Sequence, residues 1–163
     1  MLTLTDAQKA AFFQRSYTTV DGLWFIKLEE LCGFEKALDI DTEVWKVLPK
    51  IQARFMKSIL GHDAGIDALQ ECLTARLDIE GFEFETQLFS DGKGFELILR
   101  RCPWFDLMKK AAREHLAGKV GTRICSTEYA VWASEFGKSI TFSMPEQLCA
   151  NHPCCRFVFK DNT

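Results

Sequence analysis

Residues 80–104 read EGFEFETQLFSDGKGFELILRRCPW, and this stretch decides the fold class. Apolar and polar side chains alternate on both sides of Asp91-Gly92, which is typical of two half-buried strands joined by a hairpin turn. The second strand ends at Cys102, and Pro103 suits the first position of a helix. The stretch therefore predicts an antiparallel hairpin that leads directly into a helix.

Upstream of this hairpin, the apolar residues recur at helical spacing. Thr5 and Gln8 form a capping box ahead of the first apolar run, and Gly33 supplies a helix stop. Pro49 falls inside a later apolar stripe, where it either kinks a helix or starts a new one. The pattern predicts four helices before the first strand.

Downstream, the sequence predicts two helices and a second hairpin. The helices run from Pro103 to Gly118 and from about Ser126 to Phe136, and alternation predicts strands around residues 140–144 and 157–159. Pro145 is expected to bulge the third strand or to mark an edge. The fold class is therefore α+β, with a helical N-terminal half and an antiparallel four-stranded sheet made of two hairpins with two intervening helices. We expect one domain over residues 1–163, with a helical part at 1–79 and a sheet-and-helix part at 80–160.

Composition narrows the function class. The chain has 163 residues, 47% of them hydrophobic, and a net charge of −3. No cluster of basic residues stands out, so we expect no nucleic-acid partner. No apolar run is long enough to cross a bilayer, and residues 1–13 lack the pattern of a signal peptide, so we expect a cytoplasmic protein without a membrane partner. The sequence leaves a homodimer open.

Seven cysteines are many for this length, and an odd number excludes a complete set of disulfides. In a reducing compartment, each is core filler, a metal ligand or a reactive thiol. Cys102 precedes Pro103 as a predicted helix N-cap, where the helix dipole would lower its pKa and make it the most reactive thiol. A small capping residue without chemistry is an equally good interpretation.

Cys125 stands at the start of the next predicted helix, three residues before Glu128. The spacing places both on one face, which Tyr129 and Trp132 continue. Glu128 is either a catalytic base or only a capping-box partner. His115 lies on or beside the inner stripe of the preceding helix and is a candidate proton shuttle, although a hydrogen-bonded structural histidine is the more ordinary interpretation.

Cys149 and Cys155 flank the last predicted turn, and a hairpin would bring them together. With Cys102 and Cys125 they give a candidate metal set of four soft ligands, the kind that zinc prefers. The two-residue spacing of zinc knuckles is missing, so a reduced, metal-free site is the alternative. We expect Cys102 and Cys125 to face one cavity.

Four motifs follow in order and carry a resemblance to a known family. They are Arg101-Cys102-Pro103-Trp104, Arg113-Glu114-His115-Leu116, Ile124-Cys125-Ser126-Thr127-Glu128-Tyr129, and Cys149 with Cys155-Arg156-Phe157-Val158-Phe159. Over about residues 80–160 the chain resembles the L-2-amino-thiazoline-4-carboxylic acid hydrolase-like family. Its closing element is similar to that of 4-vinyl reductase domains, which are regarded as small-molecule-binding modules with metal suggested at their cysteines.

The first resemblance implies a hydrolase that acts on a non-peptide C–N bond of a small cyclic substrate. Cys102 or Cys125 would be the nucleophile or a thiolate ligand to a water-activating metal, Glu128 the base and His115 the proton shuttle. Arg101 would pair with a substrate carboxylate, and the pocket would be lined by aromatic side chains, with Trp104, Tyr129 and Trp132 as substrate-binding candidates.

The second resemblance implies a different class of protein, a sensory module that binds a small molecule or a metal without turnover. A hydrolase needs Glu128 or His115 within hydrogen-bond reach of a thiol, whereas a binding module needs only a pocket with cysteines on its wall. An interaction protein with an occluded core is a third alternative.

Overall fold

A computed structural model of the chain describes residues 3–163. The chain divides into two compact units, the first ending at Asp41 and the second running from Thr42 to Thr163. The expected organisation as one domain over the whole chain stays a prediction. Within the described residues, no helix is both long and apolar enough to cross a membrane.

The first unit consists of helix α1 (Asp6–Cys32) and most of helix α2 (Phe34–Trp45). The predicted capping box is confirmed: the backbone N–H of Gln8 donates to the Thr5 hydroxyl, and the Thr5 N–H donates to the Gln8 side chain. The two apolar stripes predicted before Gly33 lie on one continuous helix. Gly33 ends it with a φ of +82°, a conformation that glycine adopts without strain.

The second unit contains four more helices: α3 (Leu48–Leu60), α4 (Ile66–Glu80), α5 (Pro103–Lys110) and α6 (Glu114–Phe136). Pro49 lies in the first turn of α3, so the proline starts a new helix rather than kinking an existing one. Gly61 and Gly81 end α3 and α4 in the left-handed conformation.

The sheet has four strands, β1 (Glu83–Leu88), β2 (Gly94–Arg101), β3 (Ile140–Glu146) and β4 (Cys155–Asp161), in the order β1-β2-β4-β3. All neighbours are antiparallel, so each predicted hairpin forms and the two pair through β2 and β4. The predicted fold class is confirmed. The pairing of β3 with β4 is irregular between Ser143 and Glu146, which places Pro145 in a bulge of an edge strand as expected.

The core lies between one face of the sheet and helices α4 and α6. Alternation sends Phe95, Leu97 and Leu99 of β2 to this face, together with Phe157 and Phe159 of β4. Trp132 and Phe136 of α6 pack against them with their rings nearly parallel to each other. This packing fixes α6 across the sheet.

The helix boundaries predicted after β2 are wrong. The chain breaks at Ala112, which has a φ of +55°, and α6 then continues without interruption through Gly118 and Gly121. A Cβ atom on Gly121 would lie 2.6 Å from the Cys149 sulfur, and one on Gly118 would lie 3.1 Å from the Cys149 carbonyl oxygen. These glycines let the 3-10 turn Leu148–Ala150 approach α6 closely and do not end a helix.

Candidate functional site

Cys102 lies between the end of β2 at Arg101 and the start of α5 at Pro103. It is the N-cap of α5, as predicted, and backbone N–H groups of Trp104 and Phe105 favour its thiolate. Desolvation outweighs them and raises the pKa of the Cys102 thiol to about 12. The expectation that the helix dipole lowers the pKa of Cys102 is therefore wrong. Removing the sulfur from water destabilises the thiolate more than the two N–H groups stabilise it.

Cys125 does not lie at a helix start. It is in the middle of α6, one turn before Tyr129. Desolvation raises the pKa of the Cys125 thiol well above its usual value, and the nearby carboxylate of Glu128 raises it further. The predicted capping-box role of Glu128 is wrong, because eleven residues of helix precede Cys125.

Cys149 and Cys155 enter the site from the closing hairpin. Cys149 belongs to the 3-10 turn and packs its sulfur on Gly121, while Cys155 begins β4. The N–H of Leu148 donates to the Cys155 sulfur over 3.2 Å. Desolvation raises the pKa of the Cys155 thiol to about 11 and also raises that of Cys149.

The structure brings these four thiols into one neighbourhood. Cys149 and Cys155 lie near enough to Cys102 that either thiol, if ionised, would raise the Cys102 pKa, and all three would do the same to Cys125. Their donor chemistry suits zinc. In residues 3–163, however, no three His, Cys, Asp or Glu side chains are grouped so that they could hold a metal ion. The four cysteines are therefore neighbouring neutral thiols, and their geometry does not fit a preformed metal centre.

A buried polar cluster lies beside the cysteines, between α4 and α6. An Arg76 guanidinium N–H donates to the Glu128 carboxylate over 2.5 Å, and these side chains are 5% and 6% exposed. A second guanidinium nitrogen lies 2.9 Å from the Glu80 carboxylate, and a third lies 3.4 Å from the Tyr129 hydroxyl. The Trp104 indole N–H reaches the other Glu80 oxygen at 3.5 Å. We refer to these five residues as the Arg76 cluster.

Arg76 and Glu80 were missed by sequence reasoning, although a signal was available. Position 76 lies three residues after Leu73 and four after Cys72, both fully buried, so its side chain must point inward on α4. An arginine on the apolar side of a helix is uncommon unless it is paired. The pairing partner, Glu128, was already a candidate.

Aromatic rings surround the polar cluster. Tyr129 packs against Phe157 with ring centroids 4.3 Å apart and against Phe142 at 5.5 Å. Burial raises the pKa of the Tyr129 hydroxyl well above its usual value, and the Glu128 charge adds to the shift. Trp132 is fully buried, and its indole N–H has no acceptor within the described part of the chain.

Two predicted site residues lie elsewhere. His115 is exposed in the first turn of α6, since the helix begins at Glu114 and not upstream of the histidine. Arg101 is half exposed and pairs with Asp106 at 2.8 Å and with Glu83 at 3.5 Å. The structure therefore does not bring the predicted proton shuttle or the predicted carboxylate-binding arginine to the buried cluster.

An open depression lies on the outer side of α6. It is lined by Gly118, Lys119, Thr122, Arg123, Ser126 and Thr127. Its lining contains none of the residues predicted to take part in catalysis, substrate binding or metal binding.

Comparison with known proteins gives one family and one fold. The profile of DUF6125, described as a family of unknown function, matches residues 8–154. The phenol-responsive sensory domain of the transcription activator PoxR, solved with phenol, superimposes with a TM-score of 0.53 at 16% identity, covering 88% of this chain and 73% of that one. No curated protein matches. The resemblance to the thiazoline hydrolase-like family finds no support in these comparisons, and at 16% identity the match to the sensory domain shows a shared fold.

Proposed function

Because the chain belongs to the DUF6125 family and shares its fold with a phenol-responsive sensory domain, we propose that it is a small-molecule-binding sensory module. The ligand site is the Arg76 cluster together with the aromatic rings around it. The observation that carries the proposal is the buried ion pair between Arg76 and Glu128 inside an otherwise apolar core.

A buried ion pair is a poor device for stability alone. Removing two charges from water costs several kcal/mol per ion, and a well-packed apolar pair of the same volume often gives an equally stable protein. Polar groups that converge in an apolar surrounding are, by contrast, what small-molecule sites use to orient a ligand. The Arg76 cluster offers a ligand both hydrogen-bond donors and hydrogen-bond acceptors, since guanidinium and indole N–H groups lie beside carboxylates.

The combination of aromatic rings and polar groups in the proposed site indicates the kind of ligand. A ring would pack among Tyr129, Phe142 and Phe157, and one polar substituent would exchange hydrogen bonds with Arg76 or Glu128. The PoxR domain was solved with phenol, a molecule of this kind. Phenol and its alkyl- and amino-substituted relatives are therefore the first ligands to test on this chain.

The predicted hydrolase, an enzyme acting on a non-peptide C–N bond, receives less support from the geometry. A cysteine nucleophile needs a thiolate, and the surroundings of Cys102 and Cys125 favour the neutral thiol. Glu128 lies close enough to influence Cys125, but its carboxylate is held by Arg76. His115 is exposed. In the proposed module the cysteines contribute a soft, polarisable wall beside the ligand.

Calorimetric titration of the purified chain with the phenol panel tests the proposal. We expect saturable binding of at least one compound, and we expect Glu128→Gln to weaken it about tenfold or more, since one charged hydrogen bond is worth roughly 1.5–3 kcal/mol. Glu135→Gln is the matched control on the same helix, because Glu135 pairs with Arg54 away from the Arg76 cluster.

The two possible failures have different meanings. If the panel binds equally well to wild type and Glu128→Gln, the site is wrong. If none of the compounds binds to wild type while circular dichroism shows a folded protein, the proposed ligand class is wrong.

A further inference from the structure

Helix α3 carries an apolar stripe on its outer side. Val47, Ile51, Phe55 and Ile59 follow each other at intervals of four residues and are 55%, 61%, 65% and 58% exposed. Two further apolar side chains extend the stripe at its ends, Val44 and Leu60. We call these six residues the α3 stripe.

The stripe is not the side of α3 that packs on the core. The core side is formed by Pro49, Ala53 and Met56, which are buried. The helix is therefore apolar on two sides, and a helix of this kind normally has a partner on each of them. Single exposed apolar residues are ordinary on a protein surface, but a row of four at four-residue intervals, with a further exposed apolar side chain beside each end, is not.

The exposed area of the stripe matches what a dimer interface requires. Fully burying a large aliphatic or aromatic side chain removes roughly 60–120 Å² of apolar surface from water, so six side chains that are about half exposed offer roughly 200–400 Å². One partner of a standard interface buries about 800 Å², of which about 56–65% is apolar. The stripe supplies roughly 40–90% of that apolar area, and the stems of flanking lysine and arginine side chains add to it.

The charges beside the stripe are already occupied within the chain. Arg54 pairs with the Glu135 carboxylate at 2.8 Å, and Lys57 donates to the Glu135 carbonyl over 2.8 Å. Lys50 also acts on the Glu135 charge, and Lys46 pairs with Glu43 at 2.6 Å. These basic side chains are therefore not presented as a patch for an acidic partner, and the apolar row dominates the surface.

We propose that the α3 stripe is a homodimer interface in which it packs against the same stripe of a second copy. Rows of residues four apart interdigitate well between two helices, and a twofold axis near Ile51, the middle of the row, brings each stripe onto its own copy.

Sedimentation velocity of the full chain, between about 1 and 100 µM, measures the dimer directly. We expect wild type to be dimeric at the upper concentrations and Ile51→Glu to raise the dissociation constant at least about 100-fold, since two carboxylates enter an apolar contact. Ile79→Glu is the matched control, an isoleucine of α4 that is 65% exposed and lies outside the stripe. It should leave the dimer unchanged.

A mixing experiment tests the geometry. Ile51→Glu and Ile51→Lys are each expected to be monomeric and to form a mixed dimer at equal amounts, because the twofold axis places residue 51 near its copy. A monomeric wild type, a dimer that survives Ile51→Glu, or the failure of the two variants to pair would each overturn the proposal.

Discussion

Glu128→Gln and Arg76→Met test how much the buried ion pair between these two side chains contributes to the stability of the protein. Both side chains are at most 6% exposed, and their charged atoms lie 2.5 Å apart, so removal of either charge strands the other one in the core. The stranded group must then stay charged without its partner or change its protonation state. The structure therefore predicts a large loss of stability from each single substitution.

The magnitude follows from the degree of burial. Removing one partner of a buried pair costs about 3–5 kcal/mol, whereas replacing both partners with apolar side chains of similar volume is often neutral or stabilising. Glu80 remains 2.9 Å from Arg76 in the Glu128→Gln variant and compensates part of the charge, so that variant should lie at the lower end of the range. Arg76→Met also removes the ion-pair partner of Glu80, whose side chain is only 12% exposed. The triple variant Arg76→Met/Glu80→Gln/Glu128→Leu should therefore be within about 1–2 kcal/mol of wild type.

Urea unfolding followed by tryptophan fluorescence and by circular dichroism measures these free energies. Arg54→Met is the control, because the Arg54 side chain is 68% exposed and its ion pair with Glu135 lies outside the Arg76 cluster. Its unfolding midpoint should stay close to that of wild type. A triple variant as unstable as the worse single variant, or single variants with wild-type midpoints, would show that Arg76 and Glu128 do not form the buried pair described above.

Gly121→Ala places a methyl group 2.6 Å from the Cys149 sulfur, so we expect its Tm to fall by a few degrees and its free energy of unfolding to fall by about 1–3 kcal/mol. Adding Cys149→Ala to this variant should restore the Tm, and an unchanged Tm in Gly121→Ala would refute the close contact. Burial raises the pKa of Asp21 to about 6, against 3.8 in the unfolded chain, so its stability penalty is absent below pH 4 and fully present above pH 6. Asp21→Asn should therefore stabilise the protein by up to about 3 kcal/mol at pH 7 and not at pH 4, and equal effects at both pH values would contradict this. A thiol reagent at pH 8 should label Cys32 first, because Cys32 is exposed. Cys102 is only partly exposed and its thiol pKa is raised to about 12, so it should react much more slowly; mass spectrometry of the labelled peptides decides, and labelling of Cys102 as fast as Cys32 would refute this.

The secondary-structure pattern was readable from the sequence wherever local chemistry decides it. Alternation around Asp91-Gly92 identified the first hairpin, and the Thr5 capping box identified the start of α1. Pro145 marked the bulged edge strand, because proline cannot complete a ladder of hydrogen bonds. These features depend on residues that are close in sequence, so a single sequence contains the information that determines them.

Long-range packing decided the features that the sequence reading missed. Gly118 was interpreted as a helix stop, since glycine often ends a helix, but the 3-10 turn that contacts it comes thirty residues later. Cys125 was placed at a helix start for the same reason and lies in the middle of α6. Cys32 ends an apolar stripe that by itself favours a buried side chain, yet the structure leaves it exposed.

The sequence by itself determined an α+β chain of helices and two hairpins, and it identified Glu128, Tyr129 and the four cysteines as candidates. Only the tertiary structure joined Arg76 to Glu128, fifty-two residues away, and moved His115 and Arg101 out of the site. It also reversed the expected chemistry of Cys102, because the pKa of a thiol depends on desolvation by groups that are distant in sequence. Spacing along a chain specifies which face of a helix a side chain occupies, but what lies opposite that face is decided when the helices and the sheet pack together.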